Sequence, residues 1–312
     1  MAAVNRTTVT HFILLGFTEV PELQVFLFLI FLLVYTVTVV GNIGIIFIIN
    51  YDLHLRSPMY FFLGHLSFID LCYSSGITPK MLMSFVTVLN AISFCGCVIQ
   101  LFSFALFGTT ECVLLTVMAY DRYVAVCDPL MYSTIMTKQL CYKLVILSYI
   151  LSIFNSSLNT ICTFAISSFC GPTTIHHFYC DFLPLLKLSC SDTLVVKLVL
   201  FTSADFLTMS ALGIIVASYA SIICNILRIH STDGRRKAFS TCTSHFSCVL
   251  MFYGTILFMY LRPSTSNMLD QDRVASILYT VIIPMLNPLI YTLRNKEVKQ
   301  ALQKNWQSLC NV

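Results

Sequence analysis

Asp70, Glu111 and the pair Asp121-Arg122 are ionisable groups set in long apolar runs. Residues 58–79 hold one acid, Asp70, and one histidine, His65, with no Lys or Arg; between Lys80 and Asp121 the single acid or base is Glu111. A carboxyl group in hydrocarbon is costly and marks function by default. Two readings are open. Each carboxyl can be separate, protonated and hydrogen-bonded to its neighbours. Alternatively both can share a polar core with Asn42 and Asn287, an oxygen-rich set suited to a proton or a hard cation. Eleven residues separate Glu111 from Arg122. That is close to three helical turns, so the two share a face roughly 16 Å apart along the axis. Phe104, Gly108, Leu115 and Met118 fall near the same face. A face with Glu and Arg points into a bundle rather than at lipid. Catalytic constellations are missing from the pattern: there is no zinc-type His/Cys spacing, Walker loop or nucleophile elbow. The sequence predicts neither an enzyme nor a bound cofactor.

Composition explains where such groups must sit. Hydrophobic residues make up 57% of the 312, charged residues 10%, and mean hydropathy is +0.84. Soluble domains average about 25% charged residues, so the class is a polytopic, all-α membrane protein. A helix crosses a bilayer with about 20 apolar residues. Spans are expected near 25–50, 58–80, 97–120, 141–161, 197–227, 238–261 and 272–292, followed by a short amphipathic tail helix. Three regions follow: an outer tail over 1–24, a seven-helix domain over 25–292 and an inner tail over 293–312. Twelve of the 18 Lys and Arg residues fall on the side of Arg122, Arg235-Arg236-Lys237 and the C-terminus. The richer side is cytoplasmic by the positive-inside rule, which puts the N-terminus outside. The first 20 residues lack a basic n-region followed by an apolar h-region, so helix one is the expected targeting signal. Asn5 heads a glycosylation sequon in the outer tail. Asn155-Ser156-Ser157 is also a sequon, but inside helix four. A net charge of +4 gives no block that binds nucleic acid.

Of 14 cysteines, Cys97, Cys170, Cys180 and Cys190 lie on the outer, oxidising side, where disulfides are expected. Four cysteines allow three pairings, and spacing does not choose among them. In helix seven, Pro284 and Asn287-Pro288 precede Tyr291; a proline inside a helix frees a carbonyl and bends the rod. That makes a hinge, or a packing feature. Arg235-Arg236-Lys237 stands directly before helix six, as a topology determinant or as a face toward a partner or anionic lipid.

These segments together resemble the rhodopsin-like G-protein-coupled receptors, and within them the odorant receptors. The resemblance runs from about residue 5 to 303. It rests on Gly41-Asn42, "PMYFFLGHLSFIDLCYSS" (58–75), "PKML" (79–82), "MAYDRYVAVC" (118–127), Ser218-Tyr219, "KAFSTCTSHF" (237–246) and "PMLNPLIYTLRNKEVKQAL" (284–302). Departures are Leu55-Arg56-Ser57 before Pro58, "CDPL" (127–130) and Thr243. The resemblance implies that Arg122, paired with Asp121, is a switch that holds the resting state, with Tyr219 and Tyr291 moving toward it. It implies a Cys97–Cys180 bridge with Cys170–Cys190 closing inside the outer loop, Cys97–Cys190 being the other possibility. The implied partners are a small odorant, the lipid bilayer and the olfactory stimulatory G protein that activates adenylyl cyclase. The implied location is the plasma membrane of sensory cilia. His177-Phe178-Tyr179-Cys180-Asp181 matches a segment of the family proposed to bind copper; a disulfide at Cys180 would remove the thiolate.

The expected ligand pocket lies in the outer half, between helices three, five, six and seven. Helix three offers Phe104, Ala105, Gly108 and Thr109; helix five offers Ser203 and Leu207. Helix six adds Tyr253, Ile256, Leu257 and Tyr260, and helix seven adds Ile277 and Thr280. Such a lining, apolar with a few hydroxyls, suits a small neutral volatile molecule. A receptor of this build that senses a metabolite elsewhere in the body is the alternative. A transporter would show paired inverted repeats and broken helices, which the sequence lacks.

Overall fold

The structure is a computed structural model, described here for residues 9–17, 20–87, 90–169, 173–261, 268–294 and 298–301. Seven long helices form the bundle. Helix one is Pro21–Tyr51, helix two Pro58–Val86, helix three Phe94–Cys127, helix four Lys138–Ile161, helix five Leu194–Arg228 and helix six Thr232–Leu261. Helix seven runs as Met268–Ile277, a wide π turn Leu278–Ile282 and Ile283–Arg294. Among the described residues five of the seven are each long and apolar enough to cross a bilayer, and helix six carries a shorter apolar stretch, Cys242–Phe258. Residues 298–301 are helical, with Val298 and Ala301 buried.

Local chemistry sets the helix starts. Helices one and two each open with a proline in their first turn, where the missing N–H costs nothing. Ser93 caps helix three, its hydroxyl accepting from the Gly96 amide at 3.1 Å, and Thr137 caps helix four the same way. Large side chains such as Phe26, Phe47 and Phe154 stand outward on the bundle, as a surface solvated by acyl chains requires.

Most boundaries shift by a few residues from the sequence reading, and helix two runs six residues further, to Val86; two of the shifts bear on charged residues. Helix three continues seven residues past 120, so Asp121-Arg122 lies within it rather than at its end. Pairing of the two charges removes the reason to leave the helix there. Helix six begins at Thr232, not 238, so Arg235-Arg236-Lys237 is part of it. The link from helix five is only residues 229–231. It is tightened by Ser231 Oγ accepting from the Gly234 amide (3.2 Å) and by Arg235 donating to the Ile229 carbonyl (3.1 Å).

The sequence reading contained no strand, yet one end of the bundle carries a small sheet in the order β2-β1-β3. Its strands are β1 (His11–Leu14), β2 (Ala91–Ser93) and β3 (Thr174–Ile175). β1 pairs antiparallel with β2 and parallel with β3. Phe12 and Leu14 point down from it into a cluster with Leu101, Ile175, Leu185 and the Cys97–Cys180 bridge. This is the disulfide end; the opposite one is the Arg122 end.

Candidate functional site

Three layers of polar chemistry run through the bundle. The middle one begins with a proline. Pro288 has no N–H, so the Pro284 carbonyl one turn earlier loses its helical donor. Asn42 of helix one replaces that donor: its amide bonds the Pro284 carbonyl at 3.0 Å and its own Thr38 carbonyl at 2.9 Å. Gly41 allows the approach, since a Cβ there would lie 3.2 Å from Pro288 Cγ. The Gly-Asn pair and the Asn-Pro pair are therefore one joint between helices one and seven. Asn42→Ala should strand a buried carbonyl at a cost of about 1–3 kcal/mol. A drop of several degrees in the melting temperature of detergent-purified protein would register it; an unchanged melt would dissolve the joint.

Asn287 completes this layer. Its amide donates to Asp70 Oδ2 at 3.0 Å and reaches Glu111 Oε1 at 3.5 Å. Asp70, Glu111 and Asn287 are all buried, so the shared polar core is what the structure contains. Asn42 lies in the same layer but bonds Pro284, not the carboxyl groups. Asp70 Oδ1, Glu111 Oε2 and the Asn42 and Asn287 side-chain oxygens have no hydrogen-bond partner among the described residues.

At the Arg122 end the guanidinium of Arg122 grips Asp121 Oδ2 through Nε, at 3.0 Å, and through a terminal nitrogen. Both residues are buried. Tyr132 donates to the other carboxylate oxygen at 2.8 Å, a partner the sequence reading missed. Burial, then the Asp121 carboxylate, push the Tyr132 phenol up, which keeps its proton in place to donate. Tyr219 does not bond Arg122 here. Its hydroxyl donates to His245 Nδ1 at 2.7 Å, and His245 Nε2 donates to the Leu115 carbonyl at 3.1 Å. Helices five, six and three are joined through that imidazole. Tyr291 is fully buried beside Cys248 of helix six.

The disulfide end is filled by the loop between helices four and five. Cys97–Cys180 is formed, so Cys180 offers no thiolate to a metal. Cys190 is also disulfide-bonded; Cys170, like Asn5 and the side chain of Tyr260, lies outside the described residues. His177, Phe178, Tyr179 and Cys180 are all buried. The amide of Cys180 donates to Gln100 Oε1 at 3.0 Å, and Gln100 Nε2 donates to the Gly76 carbonyl at 3.1 Å. Gly76 stands three residues before the helix-two proline, Pro79. Tyr179 and Tyr279 share a hydroxyl contact of 2.8 Å, and Ser276 links Tyr279 to His177.

Burial, then the nearby Arg273, lower the His177 pKa from 6.5 to about 3. The native loop therefore refuses a proton that the unfolded chain accepts below about 6.5. Stability should fall as pH drops from that value and level off near 3. Melting temperatures at pH 7 and pH 5 should differ more for the native protein than for His177→Gln; equal differences would clear His177 of any part.

The expected pocket residues divide. Phe104 packs on Tyr73, Tyr179 and Tyr279 at ring separations of 5.1–5.9 Å. Ala105, Gly108 and Leu207 are half-buried, and Ile277 packs into the same aromatic cluster. Thr280 is fully buried and donates to its own helix at Ser276. Tyr253 meets Cys112 Sγ at 3.2 Å, with Ile256 against the central core. Thr109 and Ser203 are engaged by helix four. Asn155 donates to Thr109 (3.2 Å), Asn159 to Asn155 (3.3 Å) and Ser203 to Asn159 (3.0 Å). This ladder ties helices three, four and five, and it puts the second sequon deep in the bundle. Leu257 is 55% exposed; one residue beyond Ile256 a helix has turned about 100°, so Leu257 faces outward rather than into the pocket.

A sequence model described as "Olfactory receptor" matches residues 31–308. This chain belongs to the olfactory receptor family. Olfactory receptor 8U3 of Mus musculus is 55% identical over 304 residues, covering 97% of this chain and 95% of the relative. Olfactory receptor 8U3 of Homo sapiens is 53% identical over 99% of this chain and 95% of the relative. Olfactory receptor 8U9 of Homo sapiens is 54% identical, with 97% and 98% covered. This olfactory receptor is accordingly a seven-helix, multi-pass G-protein-coupled receptor of the plasma membrane, not an enzyme.

Proposed function

We propose that the receptor binds small, mostly neutral volatile molecules at the disulfide end of the bundle and activates the olfactory stimulatory G protein, raising cAMP. The observation that carries this reading is helix three itself. One continuous helix bears Phe104 in the aromatic cluster, Glu111 in the polar layer and Arg122 in the buried ion pair. A ligand that shifts Phe104 or the Asn155 ladder would move the rod that carries Arg122. The disulfide end then faces outward and the Arg122 end the cytosol, with regions 1–24, 25–292 and 293–312 as tail, receptor domain and cytoplasmic tail. Sensory cilia are the expected site, and the outer Asn5 the glycan acceptor. Asp70, Glu111 and Asn287 hold a proton or a cation between the two layers, and Pro288 with Tyr291 gives helix seven its hinge.

The test is a cAMP reporter in transfected cells against a broad odorant panel. Thr109→Ala and Tyr260→Phe should change potency for some ligands by about three- to tenfold, the worth of one hydrogen bond. Normal surface expression with every potency unchanged would place the ligand elsewhere.

A further inference from the structure

The polar ladder across helices three, four and five has a direction. Ser203 donates to Asn159 Oδ1 at 3.0 Å, Asn159 Nδ2 donates to Asn155 Oδ1 at 3.3 Å, and Asn155 Nδ2 donates to Thr109 Oγ1 at 3.2 Å. Every bond points toward helix three. Ser203 also reaches the Leu200 carbonyl at 3.2 Å. Asn155 and Asn159 are buried, where the members of such a chain polarise one another in one sense.

The chain ends on the Thr109 hydroxyl. Its oxygen accepts from Asn155, so its own proton points elsewhere. A threonine inside a helix can return that proton to the carbonyl four residues back. Thr110 does so to Leu106 at 2.7 Å, and Thr116 to Cys112 at 3.0 Å. Thr109 does not: among the described residues its proton has no acceptor. Thr109 is only half-buried, whereas Thr110, Glu111 and Cys112 just below it are closed off. Ala105, one turn nearer the disulfide end on the same face, is half-buried too and contributes only a methyl group.

We infer that the Thr109 hydroxyl is the hydrogen-bond donor to the odorant, and that it selects molecules with a carbonyl group: aldehydes, ketones and esters. The inference rests on the reading above that odorants bind at the disulfide end. A carbonyl oxygen accepts the proton and brings none of its own. An alcohol also accepts, but its O–H then needs a second acceptor in an apolar lining, and leaving it without one is costly. The ladder's remaining acceptor, Ser203 Oγ, is three hydrogen bonds away on helix five. A carbonyl also fixes the sense of the chain. With both amides turned end for end, Thr109 would donate inward to Asn155. An acceptor on the pocket side holds the sense seen here, and so couples the ligand to helices four and five.

The experiment is the cAMP reporter with the full-length receptor and three matched probe series on one carbon skeleton. These are aliphatic methyl ketones, the corresponding secondary alcohols, and analogues in which a methylene group replaces the carbonyl oxygen. On the native receptor the ketones should be the most potent, by about tenfold. That ranking needs no variant, so it tests the inference even if a substituted receptor fails to reach the surface. Thr109→Val keeps the shape but removes the hydroxyl; it should cost the ketones about tenfold and the methylene analogues less than about twofold. Thr109→Ser should keep the native order. Alcohols or methylene analogues that match the ketones on the native receptor would overturn the inference. So would an equal fall of ketones and analogues in Thr109→Val, which leaves the ligand beside helix three but takes the donor role from the hydroxyl. No change for any probe in surface-expressed Thr109→Val would sink the inference together with the pocket it rests on.

Discussion

Arg122→Ala is expected to silence odorant-stimulated cAMP and to lower stability at the same time. Truncation leaves the Asp121 carboxylate buried and bonded to Tyr132 but without its cation. Breaking one half of a buried pair costs about 3–5 kcal/mol. The two effects separate in a second variant. Asp121→Asn combined with Arg122→Ala removes the stranded charge, so thermal stability should largely return while signalling stays lost. Arg122→Lys should fall between, because an ammonium cannot reproduce the two-nitrogen grip on Asp121. A cAMP response from Arg122→Ala equal to the native one, at equal surface level, would remove Arg122 from transduction.

Cys97→Ser is expected to have the larger structural effect. The bridge closes a loop with a sequence separation of 83, and loop-closure entropy of that length is worth about 4–5 kcal/mol. The bridge also seats His177, Phe178 and Tyr179 against Phe104 and helix seven. Surface staining should therefore collapse, and any receptor that reaches the surface should show weakened odorant potency. Native staining and potency in Cys97→Ser would mean that the Gln100 bonds and the three-stranded sheet hold the loop unaided.

Much of this architecture was legible because it is local or periodic. Charge-free runs located the helices, and the eleven-residue spacing put Glu111 and Arg122 on one buried face. Convergence of Asp70 and Glu111 was one of two open readings, and in the structure the Asn287 amide lies between them. What stayed hidden is non-local. β1 is four residues whose partners lie about 80 and 160 positions away, and no window on the sequence contains both. Helix three passes through Tyr-Asp-Arg-Tyr because the charges neutralise each other, a contact that composition counts as two polar residues. Asn155 was legible only as an unusable sequon. Its place in a ladder with Thr109, Asn159 and Ser203 depends on the facing of three helices. Gln100 stood out in an apolar stretch, and a lone amide beside the Pro79 turn was the available signal.

The sheet at the disulfide end also orders events in time. Its central strand is made before helix one, whereas β3 is made only after helix four. At about 5–20 residues per second the gap is roughly ten to thirty seconds. Both edges of β1 are open until β2 is made and one stays open until β3 follows, a state prone to pairing with the wrong chain. The cap therefore closes last, and the nascent receptor depends until then on whatever shields those edges. Yield at the cell surface should thus respond to translation speed and chaperone supply more than to the strength of the finished bundle.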